Sequence, residues 1–485
     1  MSNVLSKEFF IFPLVLLFAM LSGYLVAVQG MYAAAAIIGL GLMGGVLSMP
    51  PVMLMNSVIF IAFVILGQAL YFLRIEQASW LIALICLMLY LRVLTDRFSI
   101  NTKGEINFTS ILLVLFLMLA VISSIYSWQS GWQLFLGSKD YLWYYSFFFF
   151  LVLTQKDTSH MNKILKLVPI FMIVQLPFIL YQVLIVVPRR TVGPKWDSVV
   201  GTFGGDPNGG GASGMMAYFL MVGFFACLLL YINKQLSLRR LICCSFALLF
   251  AIAFAEVKVA FVLLPLMALF IFWERVLRSP VKFIIASAVI LCVLWAGLFV
   301  YFKQYGENSS QKDMGAYIDR TIELTVDPYS INYETGEIGR IAALVFWWQQ
   351  SNQIDYGKTI IGHGIGSTKT GKSMVGQVAA RYYPRYRPGR NSAAVLLWET
   401  GIVGTLFLSC FFISLAFVAN RTSKLKTVAD FDRAWLKVAS AAIFFPVPLM
   451  IYNRDLTELP ISQVFFMFIG AYILVASNQY KVRHG

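Results

Sequence analysis

Phe9-Phe-Ile-Phe-Pro-Leu-Val-Leu-Leu-Phe-Ala-Met-Leu-Ser-Gly-Tyr-Leu-Val-Ala-Val28 opens a stretch that runs to Leu73 without one Asp, Glu, Lys or Arg. At ~20 residues per crossing, it holds three transmembrane helices. A water-soluble fold would need a very large core to hide it. The first of these segments is long, has no basic n-region of note and is followed directly by further apolar segments, so it reads as a retained span and not as a cleaved signal peptide.

The rest of the chain continues in the same way. Apolar residues make up 59% and charged residues 13%, which is far from a globular mix. Apolar segments fall at 9–29, 31–49, 55–73, 78–95, 107–126, 141–155, 164–187, 212–233, 239–254, 258–273, 281–302, 392–418, 434–452 and 459–477. The expected fold is therefore an all-α, polytopic integral membrane protein of about fourteen transmembrane helices. Residues 1–302 form an N-terminal helical part with an outer loop at 188–211. Residues 303–391 form one large loop with short helices, and residues 392–485 form the C-terminal helices.

Lys and Arg fix an expected orientation. With both termini cytoplasmic, 20 of the 38 lie on the cytoplasmic side, 7 in short outer loops and 11 in 303–391. Twenty against seven follows the positive-inside rule, from which long loops are exempt. The loop 303–391 is then extracytoplasmic. The net charge of +15 reads as topology signal and gives no reason to expect nucleic acid as a partner. The cysteines Cys86, Cys227, Cys243, Cys244, Cys292 and Cys410 all fall inside apolar segments, where thiols pack as small apolar groups. The three histidines, His160, His363 and His484, are too few and too scattered for a multi-histidine zinc site, so neither metal nor cofactor is expected.

Three outer stretches break the apolar pattern. The first carries Arg189 and Arg190 and then Gly201-Thr-Phe-Gly-Gly-Asp206-Pro-Asn208-Gly-Gly-Gly-Ala-Ser-Gly214 ahead of a helix. Glycine permits close backbone approach, and a helix N-terminus favours an anion. The stretch reads either as a flexible loop or as a phosphate or sugar contact through Arg189, Arg190, Asp206 and Asn208. The second is Glu256-Val-Lys258 between two apolar segments, where ionisable groups mark either a functional site or a short exposed turn.

The third is 303–391. Arg340 begins a segment to Asp355 that reads as a helix, lying on the membrane or packed on the bundle. Gly362-His363-Gly364-Ile-Gly366 forms a compact turn. Between Asp355 and Glu399 there is no acid, whereas Lys358, Lys369, Lys372, Arg381, Arg385, Arg387 and Arg390 stand there. Arginine clamps phosphate in bidentate fashion, and the interleaved Tyr386 offers a face to sugar rings. The plain alternative is a solvated basic patch on anionic headgroups; Arg390, at the mouth of the next helix, is the cation assigned a functional role.

Taken in order, these pieces resemble the O-antigen ligase and O-antigen polymerase superfamily of bacterial membrane glycosyltransferases. Gly201-Thr202-Phe203 with Pro207-Asn208 is similar to its Gly, Phe and Pro-Asn loop. Gly339-Arg340, then Trp347 or Trp348, then Gly362-His363-Gly364-Ile365-Gly366 is similar to its Gly-Arg, Trp and Gly-x-Gly-x-Gly order. Arg390-Asn391 with Glu399-Thr400-Gly401 and Gly404 is similar to its His-Asn, Glu-Thr-Gly, Gly signature. Arg390 stands where ligases usually carry His, and Lys258 stands near a usual Ser-Arg-Gly; both places keep a cation, and the lost His favours the polymerase branch.

The resemblance implies a metal-independent enzyme of the bacterial inner membrane. It would join undecaprenyl-diphosphate-linked oligosaccharides, as donor and acceptor, into O-antigen or exopolysaccharide. Membrane lipid and the pathway's chain-length regulator and flippase are the further partners implied. Arg340, Arg390 and Lys258 would stabilise the departing diphosphate. Arg189, Arg190, Asp206, Asn208, His363, Arg385, Tyr386, Arg387 and Asn391 would contact substrate. The general base is open among Asp206, Glu256, His363 and Glu399. Glu399, counted with the catalytic residues, reads more readily as a buried structural partner of an Arg, and His363 more readily as a turn residue than as a base. A ligase that moves finished polymer to lipid A core or protein is the alternative within the class, and a lipid-linked sugar transporter or flippase is the alternative outside it.

Overall fold

A computed structural model describes residues 39 and 41–482, apart from 100–106, 191–194, 206–211, 256, 306–321, 335, 372–373 and 384. The expected span 9–29 and much of 31–49 lie outside the described residues. Helix makes up 78% of the structure, and the one sheet among the described residues is a two-stranded hairpin, Ile331–Asn332 with Glu337–Ile338. The fold is all-α.

Among the described residues, seven helices are long and apolar enough to cross a membrane. They are α1 (Pro51–Tyr71), α2 (Ala78–Thr95 in its apolar part), α3 (Phe108–Tyr126), α6 (Ser159–Arg189), α7 (Ser213–Ile232), α14 (Ser392–Ser423) and α16 (Pro460–Val482). Between them stand α4 (Gly131–Asp140), α5 (Leu142–Thr154), α8 (Leu238–Phe254), α9 (Ala260–Arg278), α10 (Pro280–Tyr305) and α15 (Asp430–Phe444). Each described apolar segment of the sequence from 55 onward is thus helical. In lipid every backbone polar group needs an internal partner, so a continuous apolar segment becomes a helix.

The helices sort by burial. The residues of the apolar stretch of α16 are all buried and those of α7 mostly so, while the other long helices bury fewer than half of theirs. Outward faces carry Ile125, Leu184, Val262 and Phe417, all strongly exposed. Such a skin suits hydrocarbon and not water. The protein is membrane-embedded, with α16 at its centre packed on α5, α14 and α15.

At one end of the bundle, the buried Asp432 accepts from Thr158 at 3.2 Å, Asn162 at 2.7 Å, Tyr472 at 3.0 Å and Tyr480 at 2.5 Å. This one carboxylate ties α6, α15 and α16 together. The opposite end gathers the irregular segments. There α11 (Arg340–Ile354), which α12 (Tyr356–Ile361) follows, packs Ala342, Ala343, Phe346 and Trp347 against Ala394 and Trp398 of α14 and Val378 of α13 (Gln377–Tyr382). Of the two readings for this segment, packing on the bundle holds.

Candidate functional site

The Gly201-Thr202-Phe203 turn is pinned by two glutamines inside α6. Gln182 Oε1 accepts from the amides of Val200 (2.9 Å) and Gly201 (2.8 Å), and Gln175 Oε1 accepts from the amide of Thr202 (2.9 Å). Phe203 enters an aromatic cluster with Phe63, Phe171 and Phe219. This part of the Gly-rich stretch is anchored and not loose. Asp206 and Asn208, its candidate contacts, lie outside the described residues, as do Glu256 and Lys372.

The Gly362–Gly366 turn has a structural partner that the sequence did not disclose. Helix α14 breaks at Gly401, whose φ of 67° and ψ of −170° are not helical. The carbonyls of Trp398 and Glu399, one turn earlier, receive donors from the turn: His363 N–H at 2.7 Å and Gly364 N–H at 3.0 Å. A side chain at Gly401 would strike the Ile360 carbonyl, and one at Gly362 would strike that of Glu399. Glycine is required at both for this approach.

That arrangement sets the surroundings of His363 and Glu399. His363 is buried against the Trp398 ring, and burial, helped by Lys358, lowers its pKa to about 4. It is neutral near pH 7. The Glu399 carboxylate is buried and held by Tyr141 Oη at 2.9 Å and Thr368 Oγ1 at 2.8 Å. Both side chains belong to the joint between loop and helix. Nearby, Lys369 pairs with Asp140 at 2.7 Å.

The cations come together elsewhere at this end. Arg340 is the first residue of α11. Its Nε donates to the Tyr452 carbonyl at 2.9 Å, its Nη1 donates to Thr325 Oγ1 at 2.8 Å, and its guanidinium lies 4.0 Å from the Tyr452 ring centre. Asn391 caps α14 by accepting from Ala394 N–H and donates to the carbonyls of Arg340 (3.0 Å) and Ile451 (2.8 Å). Arg390 precedes that cap, is exposed and makes no hydrogen bond or ion pair among the described residues. Arg340 and Arg390 act on each other electrostatically, and burial with that repulsion lowers the Arg340 pKa.

Two further cations join them. Asp197, on the short turn Lys195–Ser198, lies in the combined field of Arg190, Lys258, Arg390 and Arg340. Arg190 is buried, whereas Arg189 beside it is exposed. Four separate segments thus bring cations within electrostatic reach of Asp197. Such a cluster suits a polyanion carrying more than one charge. Arg385 stacks on Tyr386, 5.4 Å from its ring centre, and with Arg387 forms the exposed rim. Among the described residues, no three His, Cys, Asp or Glu side chains are placed to hold a metal ion.

Sequence reasoning missed Asp197 and the segment Tyr452-Asn453-Arg454-Asp455. Asp197 and Asp206 are the acids of the outer loop 188–211, which is the signal that would have found the former. The segment reads as a short turn between apolar segments, yet Tyr452 forms one wall of the Arg340 site. Arg454 sits within electrostatic reach of Arg390 and Arg387. Asp455, held by Asn453 at 2.6 Å, is pushed up to about 7 by burial.

These features define an all-α membrane protein with a cationic site at one end of its helices. No family model matches the chain, and no curated protein matches it.

Proposed function

We propose that the protein is a membrane glycosyltransferase. It polymerises undecaprenyl-diphosphate-linked oligosaccharide repeat units into O-antigen or exopolysaccharide on the outer face of the bacterial inner membrane. The observation that carries this reading is that Arg190, Lys258, Arg340 and Arg390, from four separate segments, all act electrostatically on Asp197. The expected topology, with about fourteen spans and both termini inside, puts this end of the bundle outside the cytoplasm.

The chemistry asks for such a cluster. An acceptor hydroxyl attacks the anomeric carbon of the donor sugar, and the bond to the diphosphate breaks. Negative charge grows on the leaving diphosphate. Preplaced cations stabilise that charge more than they stabilise the bound substrate, and losing one such group costs ~2.7–4 kcal/mol. Arg340 is fixed by Thr325 and Tyr452, so it needs no reorganisation when the charge develops. Exposed Arg390 is free to meet the diphosphate, with Arg385, Tyr386 and Arg387 available to the glycan. The lipid part stays in hydrocarbon beside the bundle.

The test is reconstitution of the purified protein in liposomes with a synthetic polyprenyl-diphosphate oligosaccharide, followed by gel analysis of the products. A polymerase yields a ladder, and Arg340→Ala and Arg390→Ala each lower its rate by about 10²–10³-fold. A ladder unaffected by both substitutions rejects the site. Transfer only to lipid A core or protein identifies a ligase. Translocation without bond formation identifies a flippase.

A further inference from the structure

Asp197 has a setting that distinguishes it from every other described carboxylate at this end. Its turn is rigid: Tyr71 Oη donates to the Ser198 carbonyl at 2.7 Å, Gln182 fastens Val200 and Gly201, and Ser198, Val199 and Val200 are fully buried. The Asp197 side chain is half-buried and makes no hydrogen bond or ion pair among the described residues. Four cations nonetheless act on it electrostatically: Arg190, Lys258, Arg390 and Arg340.

The competing groups are occupied. Glu399 has one oxygen on Tyr141 and the other on Thr368. His363 is packed under Trp398. Asp455 is bonded to Asn453 and faces a small cavity lined by Met215, Leu449 and Met450. Only Asp197, among the described carboxylates here, is both uncommitted and among the cations.

We infer that Asp197 is the general base of the transfer, a role that rests on the glycosyltransferase reading above. The acceptor hydroxyl gives its proton to the Asp197 carboxylate as its oxygen forms the new bond to the anomeric carbon. The bond from that carbon to the diphosphate oxygen breaks, and the lipid diphosphate leaves with the electron pair, held by the cations. Asp197 then returns its proton to solvent. Burial holds its carboxyl above the usual carboxylate range although all four cations pull it down, which gives a stronger base than a free aspartate.

The experiment uses full-length protein in liposomes with two readouts: ladder formation, and binding of farnesyl diphosphate as a probe of the cation cluster. Asp197→Asn is expected to slow elongation by about 10²–10⁴-fold and to bind farnesyl diphosphate at least as tightly as wild type, because a negative charge has been removed. Asp197→Glu recovers part of the rate. The wild-type rate falls on the acid side as Asp197 is protonated, and this limb vanishes from the residual rate of Asp197→Asn. Elongation by Asp197→Asn at the wild-type rate overturns the inference alone. Loss of farnesyl diphosphate binding along with elongation also overturns it, since the residue then only supports the site. A wild type that neither elongates nor binds removes the glycosyltransferase reading, and the inference with it.

Discussion

The Asn391 side-chain amide donates to the backbone carbonyl of Arg340 across 3.0 Å, so the cap of one helix holds the first residue of another. Two substitutions separate the two jobs. Asn391→Asp keeps the oxygen that accepts from Ala394 but loses both donors; Asn391→Ala loses everything. Both should weaken farnesyl diphosphate binding by about tenfold, the scale of one or two net hydrogen bonds. Asn391→Ala should also lose about 1 kcal/mol of stability from the cap. Asn391→Asp keeps the cap but turns a buried oxygen toward two carbonyls and should lose about 1–3 kcal/mol there. Binding titration and thermal unfolding of each variant check this.

Gly401→Ala should damage the fold itself. The added methyl meets the Ile360 carbonyl, and the positive φ costs a further ~1–2 kcal/mol. The expected result is little monodisperse protein on size exclusion. A Gly401→Ala protein that purifies and melts like wild type would contradict the close approach of loop and helix.

Asp432→Asn should act at the other end of the bundle. The new amide nitrogen faces donors, and leaving one of them unpaired in a buried place costs about 1–3 kcal/mol. Thermal stability should fall while farnesyl diphosphate binding stays unchanged. A change in binding with unchanged stability would mean that Asp432 is more than a structural tie.

Asp455 makes a prediction in pH. Its folded pKa of about 7 lies above the unfolded value of 3.8, so the folded state holds a proton that the unfolded state has lost between those limits. Stability then declines as pH rises through this window and levels off above it. Asp455→Asn removes that decline. Its melting temperature should match wild type near pH 4 and exceed it by a few degrees at pH 8.

The helices were legible because lipid forces a continuous apolar segment to satisfy its own backbone. Arg340 at the head of α11 and the Gly turn at 362–366 were legible as local patterns. Gln175 and Gln182 were not, because two glutamines in an apolar segment carry no sign that they bind a turn further along the chain. His363 and Glu399 drew attention as ionisable groups, but their burial in one joint arises from the meeting of distant segments. Asp197 escaped for the same reason: its meaning lies in four cations, of which Lys258, Arg340 and Arg390 are far away in sequence.

The broken turn of α14 also bears on how the chain is made. The residues that supply its missing donors, His363 and Gly364, leave the ribosome before the carbonyls they serve, Trp398 and Glu399. The turn waits without acceptors until the helix follows, and the helix lacks two rungs if the turn is deleted. Neither the long loop nor the C-terminal helices can be exchanged alone as a cassette; a working chimera must carry 357–405 as one piece.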